Sequence, residues 1–264
     1  MPFATVGDVR LCYDDEGAGP AVVLLHGFPL GRWIWDAPRA ALRDRYRVVT
    51  PDLRGHGESE VTPGPYLMDA LADDVARLLD ALHLDRVVLG GLSMGGYVAF
   101  ACWRRFPERV RALVLCDTRA AGDDAGAKVM RQATAQIALE RGTAAVVDGM
   151  LPKLLAPRTL AERPDLCAAV RARLAATDPR AVAATLLGMK DRADSTPTLA
   201  TITVPTLFLV GADDQLTPPA LAREMQAAVP GARLEVVADA GHLAPVEQPA
   251  LTSAALRNFL DGLP

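Results

Sequence analysis

Hydrophobic positions along the chain follow two alternating rhythms. Short apolar runs occupy residues 21–26 (AVVLLH), 47–50 (RVVT), 87–90 (VVLG), 110–116 (VRALVLC), 204–210 (VPTLFLV) and 233–237 (RLEVV). Most are near-continuous rather than alternating, as expected of strands buried on both faces of a parallel sheet. Between them, apolar residues recur at helical spacing. In 68–83 (MDALADDVARLLDALH), Leu71, Val75, Leu78, Leu79 and Leu82 share one stripe, and 220–229 and 249–260 repeat the pattern. Strand–helix–strand repetition implies right-handed crossovers. The expected class is therefore α/β, a mostly parallel central sheet flanked by helices.

The rhythm breaks between about 119 and 200. This stretch is rich in Ala, Arg and Leu and lacks convincing β-branched runs. Pro152, Pro157, Pro164, Pro179 and Pro197 are expected to cut it into several short helices. A segment this long between two strands of one sheet is an insertion. The pattern predicts a core formed by residues 1–118 and 201–264, with a helical cap at 119–200.

The sharpest local signal is residues 87–100, VVLGGLSMGGYVAF. An apolar run stops among glycines, a lone serine follows, and helical spacing resumes. A strand ending at Gly90 and a helix starting near Met94 would put Ser93 on a tight corner of the G-x-S-x-G type. Glycines on either side remove Cβ atoms that would clash if the serine adopts a strained backbone. The helix start behind it would offer unpaired N–H groups to developing negative charge.

A serine hydroxyl is a poor nucleophile without a base. The chain has four histidines. His26 and His56 sit beside glycines after early strands, and His83 ends a helix. His242, in DAGHLAPVEQP, follows the last strand, where a loop returns to the carboxyl edge of the sheet. A base of this kind needs a carboxylate to set its tautomer, and GADDQLTPP offers Asp213 and Asp214 directly after a strand. The order is serine, aspartate, histidine.

Together these segments resemble the α/β-hydrolases of the single-domain bacterial type over nearly the whole chain. LLHGFP (24–29) is similar to the oxyanion loop of that group, and PDLRGHGES (51–59) to its second characteristic turn. GADDQLTPP and GHLAPVEQP are similar to its acid and base loops. The resemblance implies Ser93 as nucleophile and His242 as base. It implies Asp214 as the acid, three residues after the glycine, with Asp213 left as a solvent or loop-capping residue. Asp117, after the strand ending near Cys116, is a further candidate, because some members carry the acid there. The backbone N–H groups of Phe28 and Met94 would form the oxyanion hole.

GLSMGG and the general layout further resemble 3-oxoadipate enol-lactonases and small esterases, which implies hydrolysis of carboxylic esters or lactones. HGFPL resembles the corresponding loop of cofactor-free haloperoxidases and perhydrolases, an alternative that uses the same three residues. A third reading is a non-enzymatic receptor of this fold that binds a small ligand under its cap.

Composition narrows the classes. Half of the 264 residues are hydrophobic and 23% are charged, which predicts a well-filled core. A net charge of −4 and the lack of any Lys/Arg run argue against nucleic acid as a partner. Cys12, Cys102, Cys116 and Cys167 have neither disulfide nor metal spacing, and no Cys/His cluster or H-x-x-x-H pattern marks a metal site. GAGP (17–20) reads as a turn between strands. Trp33 and Trp35 read as packing residues at a helix start. No cofactor and no metal are expected. With neither a signal-peptide pattern nor a membrane-spanning run, the expectation is a cytoplasmic protein acting on a small-molecule substrate.

Overall fold

The near-continuous apolar runs become the middle of one sheet. In the computed structural model, which describes residues 2–264, the strands are β1 (Phe3–Val6), β2 (Val9–Glu16), β3 (Ala21–Leu25), β4 (Arg47–Pro51), β5 (Val87–Leu92), β6 (Val110–Cys116), β7 (Thr206–Gly211) and β8 (Arg233–Val237). Among the described residues they form one sheet in the order β1-β2-β4-β3-β5-β6-β7-β8. The β1–β2 and β2–β4 pairs are antiparallel, and the pairs from β4 across to β8 are parallel.

Helices cover both faces. They are α1 (Asp36–Leu42), α2 (Met68–Ala81), α3 (Met94–Arg105), α4 (Ala125–Arg141), α5 (Thr143–Leu154), α6 (Pro157–Glu162), α7 (Pro164–Ala175), α8 (Pro179–Lys190), α9 (Thr196–Leu199), α10 (Pro219–Ala228), α11 (Ala244–Glu247) and α12 (Pro249–Asp261). Alternate strand residues feed two cores. Val23, Leu25, Leu89, Leu113 and Phe208 pack with α2 and α3, while Val22, Leu24, Val88, Val114 and Leu209 pack with α1 and α12. The predicted stripe of α2 is buried as expected at Leu71, Val75, Leu78 and Leu79. No helix among the described residues is long and apolar enough to cross a membrane.

Three details differ from the sequence pattern. No apolar run marks the β1–β2 hairpin, although the turn at 17–20 implies a strand before it. β1 is the edge strand and β2 the next one in, and β2 ends in half-buried Asp14, Asp15 and Glu16, so it lacks the apolar continuity of a central strand. β5 continues past Gly90 to Leu92, because Gly91 and Leu92 still pair with Leu115 and Cys116 of β6. Pro152 does not cut the insertion but lies in the last turn of α5. The carbonyl it deprives of an amide belongs to Asp148, which is exposed, so water can take that place. Pro157, Pro164, Pro179 and Pro197 do sit in the first turns of α6, α7, α8 and α9. Helices α4 to α9 fill the chain between β6 and β7, and α4 packs along α8.

Candidate active site

Ser93 joins β5 to α3 with φ 53° and ψ −112°. A non-glycine residue in that region costs on the order of 1–3 kcal/mol, and several contacts hold it there. Its N–H donates to Cys116 O (2.9 Å), and its carbonyl accepts from Gly96 N (2.9 Å) and Thr118 Oγ1 (2.8 Å). Two glycines make the turn possible. A Cβ on Gly91 would overlap the backbone of Gly95, and one on Gly95 would overlap the Leu25 carbonyl. The result is a half-buried hydroxyl at the carboxyl edge of the sheet.

Asp214 follows β7 and is 3% exposed. Its Oδ1 accepts from the backbone N–H groups of Leu216 (2.8 Å) and Thr217 (3.0 Å). Its Oδ2 accepts from Thr217 Oγ1 (2.6 Å) and lies 2.8 Å from His242 Nδ1. Burial opposes the charge of this carboxyl, but His242 and Thr217 outweigh it and hold Asp214 below the usual carboxylate range. A carboxylate on Nδ1 keeps the proton on that nitrogen, leaving Nε2 as the basic position of the ring.

The loop carrying His242 is anchored at three points. His242 N donates to Leu154 O of α5 (2.9 Å). The buried Glu247 accepts from Gly241 N through Oε1 (2.8 Å) and from Ala156 N through Oε2 (2.7 Å).

The other candidates fall elsewhere. Asp213 is exposed. Asp117 is fully buried with φ 43°, and its Oδ1 accepts from Gly211 N (2.8 Å) rather than facing an imidazole. Burial and the neighbouring charge of Asp214 push its carboxyl well above the usual range. His26 lies 2.7 Å from Gly27 O through Nδ1, and its Nε2 accepts from Leu53 N (2.9 Å), so both ring nitrogens are occupied by backbone. His56 Nδ1 lies 3.0 Å from Arg54 O, and its Nε2 is buried without a partner. Burial brings His26 down to about 4. Burial, with His26 alongside, brings His56 to about 3. His83 is exposed just past α2. Trp35 is fully buried, as a packing residue should be. Trp33 lies under Arg173, 4.9 Å from its ring centre, and faces a separate polar cleft of about 500 Å³ lined by Asp14, Asp52, Glu58 and other charged residues.

Ser93 and His242 line one cavity of about 230 Å³, together with Phe28, Tyr97, Arg119, Arg131, Met150, Leu154, Met189, Leu216 and Thr217. The loop before Phe28 passes so near Ser93 that a Cβ on Gly27 would stand 3.1 Å from Ser93 Cβ. Neither the Phe28 nor the Met94 amide donates a hydrogen bond among the described residues. The cavity roof comes from the insertion: Arg131 on α4, Met150 and Leu154 on α5, and Met189 on α8. Sequence reasoning missed Thr217 as a partner of Asp214, Glu247 as the anchor of the His242 loop, and the two cavity arginines. Thr217 and Glu247 lie within the acid and base segments, but their bonding becomes visible only once the loops are folded.

Comparison with known proteins identifies the family. The profile of the alpha/beta hydrolase fold matches residues 20–249. The chain is 30% identical to 3-oxoadipate enol-lactonase 2 of Acinetobacter baylyi over 247 residues, 93% of this chain and 91% of that one. A thermophilic esterase from Thermogutta terrifontis, solved with malate bound, superposes with a TM-score of 0.96 at 43% identity, covering 98% of this chain and 96% of that chain. The enol-lactonase from Burkholderia xenovorans LB400 gives 0.92 at 31% identity, covering 98% and 100%. The chain belongs to the alpha/beta hydrolase fold family.

Proposed function

We propose that this member of the alpha/beta hydrolase fold family hydrolyses carboxylic esters or lactones of small molecules through an acyl-enzyme on Ser93. The observation that carries the reading is the 2.8 Å contact between Asp214 and His242 in the wall of the cavity onto which Ser93 opens. The resemblance to esterases and enol-lactonases supports the same reaction class.

In this mechanism Ser93 Oγ attacks the acyl carbon while His242 Nε2 takes its proton. The negative charge that develops on the acyl oxygen is met by the Phe28 and Met94 amides, a contribution of roughly 3 kcal/mol per donor. His242 then returns the proton to the departing alkoxide. In a lactone, that alkoxide is the other end of the same molecule. A water molecule attacks the acyl-enzyme by the same route, with His242 again as base. Asp214 stays ionised throughout and stabilises the imidazolium. These steps call for neither a metal nor a cofactor. Residues 119–200 act as a cap, because their side chains roof the cavity while the reacting groups come from outside them.

Labelling with a fluorophosphonate followed by peptide mass analysis tests the reading. The label should map to Ser93 with one equivalent bound, and Ser93→Ala should lose both the label and ester turnover while keeping a native circular dichroism spectrum. A label found on another residue would overturn it.

A further inference from the structure

The insertion does more than roof the cavity, because it also grips the loop that carries the Phe28 amide. In the trans peptide between Gly27 and Phe28, the N–H of Phe28 points opposite to the carbonyl of Gly27. Whatever holds Gly27 O therefore aims that N–H. The core supplies two donors to this oxygen, His26 Nδ1 at 2.7 Å and Leu30 N at 3.0 Å. The His26 ring is itself fixed, since Leu53 N donates to its Nε2 at 2.9 Å and leaves the proton on Nδ1. Beyond the turn, Arg32 N donates to the buried carboxylate of Asp52 at 2.7 Å.

Pro29, in the middle of the loop, has no N–H to offer a partner. Its carbonyl accepts from Thr177 Oγ1 at 3.1 Å, a residue 148 positions away between α7 and α8. Thr177 is held in turn: its N–H donates to Leu174 O (3.2 Å), and its carbonyl accepts from Thr143 Oγ1 (2.7 Å). Thr143 opens α5, and Leu154, the last residue of that helix, offers the carbonyl that holds His242 N. The 12 residues of α5 span about 18 Å at ~1.5 Å each. They run between an attachment to the His242 loop and one that leads through Thr177 to Pro29. Four positions past Pro29, the Arg173 guanidinium of α7 lies 4.9 Å from the ring centre of Trp33. The end of α7 thus meets this loop region twice, and the Thr177 hydroxyl is the contact with a defined direction.

We infer that Thr177 is a positioning residue for the Phe28 amide: through Pro29 O it holds the loop so that this N–H meets the acyl oxygen. The inference rests on the role proposed for Phe28 as an oxyanion donor. A hydrogen bond weakens steeply once its angle falls below ~120°, so a modest rocking of the Gly27–Phe28 peptide is enough to spoil the donor. The Met94 amide needs no such hold, because it is the first of α3 and moves only with that helix.

The test compares Thr177→Val, which keeps the shape and loses the hydroxyl, with Thr177→Ser, which keeps the hydroxyl, in hydrolysis of p-nitrophenyl butyrate. Thr177→Val should lower kcat about threefold to tenfold, the size of one neutral hydrogen bond, with KM within about twofold of wild type. Thr177→Ser should recover most of the loss, and the acid limb of the pH profile, assigned to His242, should not move. Butyl trifluoromethyl ketone supplies a readout that a merely structural role would leave unchanged. Its carbonyl carbon takes Ser93 Oγ, the proton passes to His242, and the carbonyl electron pair becomes a hemiketal oxyanion facing the Phe28 and Met94 amides. Its inhibition constant should rise by the factor by which kcat falls, while that of butyl methyl ketone, which forms no stable adduct, stays constant. Independently of turnover, hydrogen exchange of the Leu30 amide, read by NMR, should quicken at least threefold in Thr177→Val, with the β5 amides unchanged. An unchanged kcat, a loss confined to KM, an unchanged trifluoromethyl ketone constant or an unchanged Leu30 exchange rate would overturn the inference and leave the hydrolase reading intact. A wild-type protein that turns over no ester and takes up no fluorophosphonate would instead overturn the hydrolase reading, and the role given to Thr177 with it.

Discussion

The Thr217 hydroxyl donates to Asp214 Oδ2 at 2.6 Å, and the same oxygen lies 2.8 Å from His242 Nδ1. With Oδ1 occupied by the backbone amides of Leu216 and Thr217, the carboxylate cannot turn away from the imidazole. Thr217 thus aims Asp214 at His242, and Thr217→Val keeps its shape while removing one donor. A net hydrogen bond to a charged group is worth about 1.5–3 kcal/mol. We therefore expect kcat for an activated ester to fall between about tenfold and a hundredfold. Steady-state kinetics with full activity retained would show that the backbone amides suffice.

Replacing Asp214 by Asn should be far more damaging. The amide favours the wrong imidazole tautomer, a change that can cost about 10⁴ in kcat. Asp213→Asn and Asp117→Asn should each lose less than tenfold, because Asp213 is exposed and Asp117 Oδ1 is engaged by Gly211 N. Parallel kinetics on the three variants separate the candidates, and a crippled Asp117→Asn beside a near-normal Asp214→Asn would move the acid to the earlier strand.

Glu247 accepts from two backbone amides, one with each oxygen. Glu247→Gln keeps the shape but turns an NH2 group toward one of those donors. Leaving a buried donor unmatched costs about 1–3 kcal/mol, and urea denaturation should show a loss of this size. A stability equal to wild type would mean that the loop holds without it.

The two buried histidines set a pH dependence of stability. Their folded values, about 4 for His26 and about 3 for His56, lie below the ordinary value of 6.5. As pH falls below 6.5, the unfolded chain takes up two protons that the folded chain refuses. Stability should drop by up to about 1.4 kcal/mol per pH unit for each histidine, until the folded values are reached. Asp117, raised by burial, acts in the opposite direction, gaining stability as pH falls. Two histidines against one aspartate leave a net decline between pH 6.5 and 5. His56→Gln should flatten that decline by about 1.4 kcal/mol per unit, as read from urea midpoints at several pH values. An unchanged slope would contradict the role given to His56.

What could be read from the sequence was what local sterics and periodicity dictate. Gly91, Ser93 and Gly95 mark the corner because only glycine fits beside the Leu25 carbonyl and the turn of α3. The central strands stand out because both of their faces are buried, whereas the β1–β2 hairpin, with one acidic end and an edge position, carries no such imprint. The acid and base loops were visible as segments. The contacts that orient them were not, since Glu247 and Ala156 are 91 positions apart and the link is a side chain to a backbone amide. Any residue can supply a backbone amide, so Ala156 gives no sign of its partner. The two cavity arginines were hidden for a similar reason. Arg119 and Arg131 are scattered among many other arginines, and only the folded chain brings them into the cavity that Ser93 lines.

The anchoring of the histidine loop also limits how the insertion can change over evolutionary time. His242 hangs from Leu154 O, and Glu247 is tied to Ala156 N, so two backbone positions on either side of Leu155, at the α5–α6 junction, serve as a bracket for His242. Neither attachment depends on which side chain stands at 154 or 156, and both depend on where the backbone runs. A change of side chain at 154 or 156 therefore leaves both attachment points chemically available. The insertion as a whole cannot be exchanged for another like a cassette. Any replacement must deliver one carbonyl and one amide to the same two points in space, or the imidazole loses its footing.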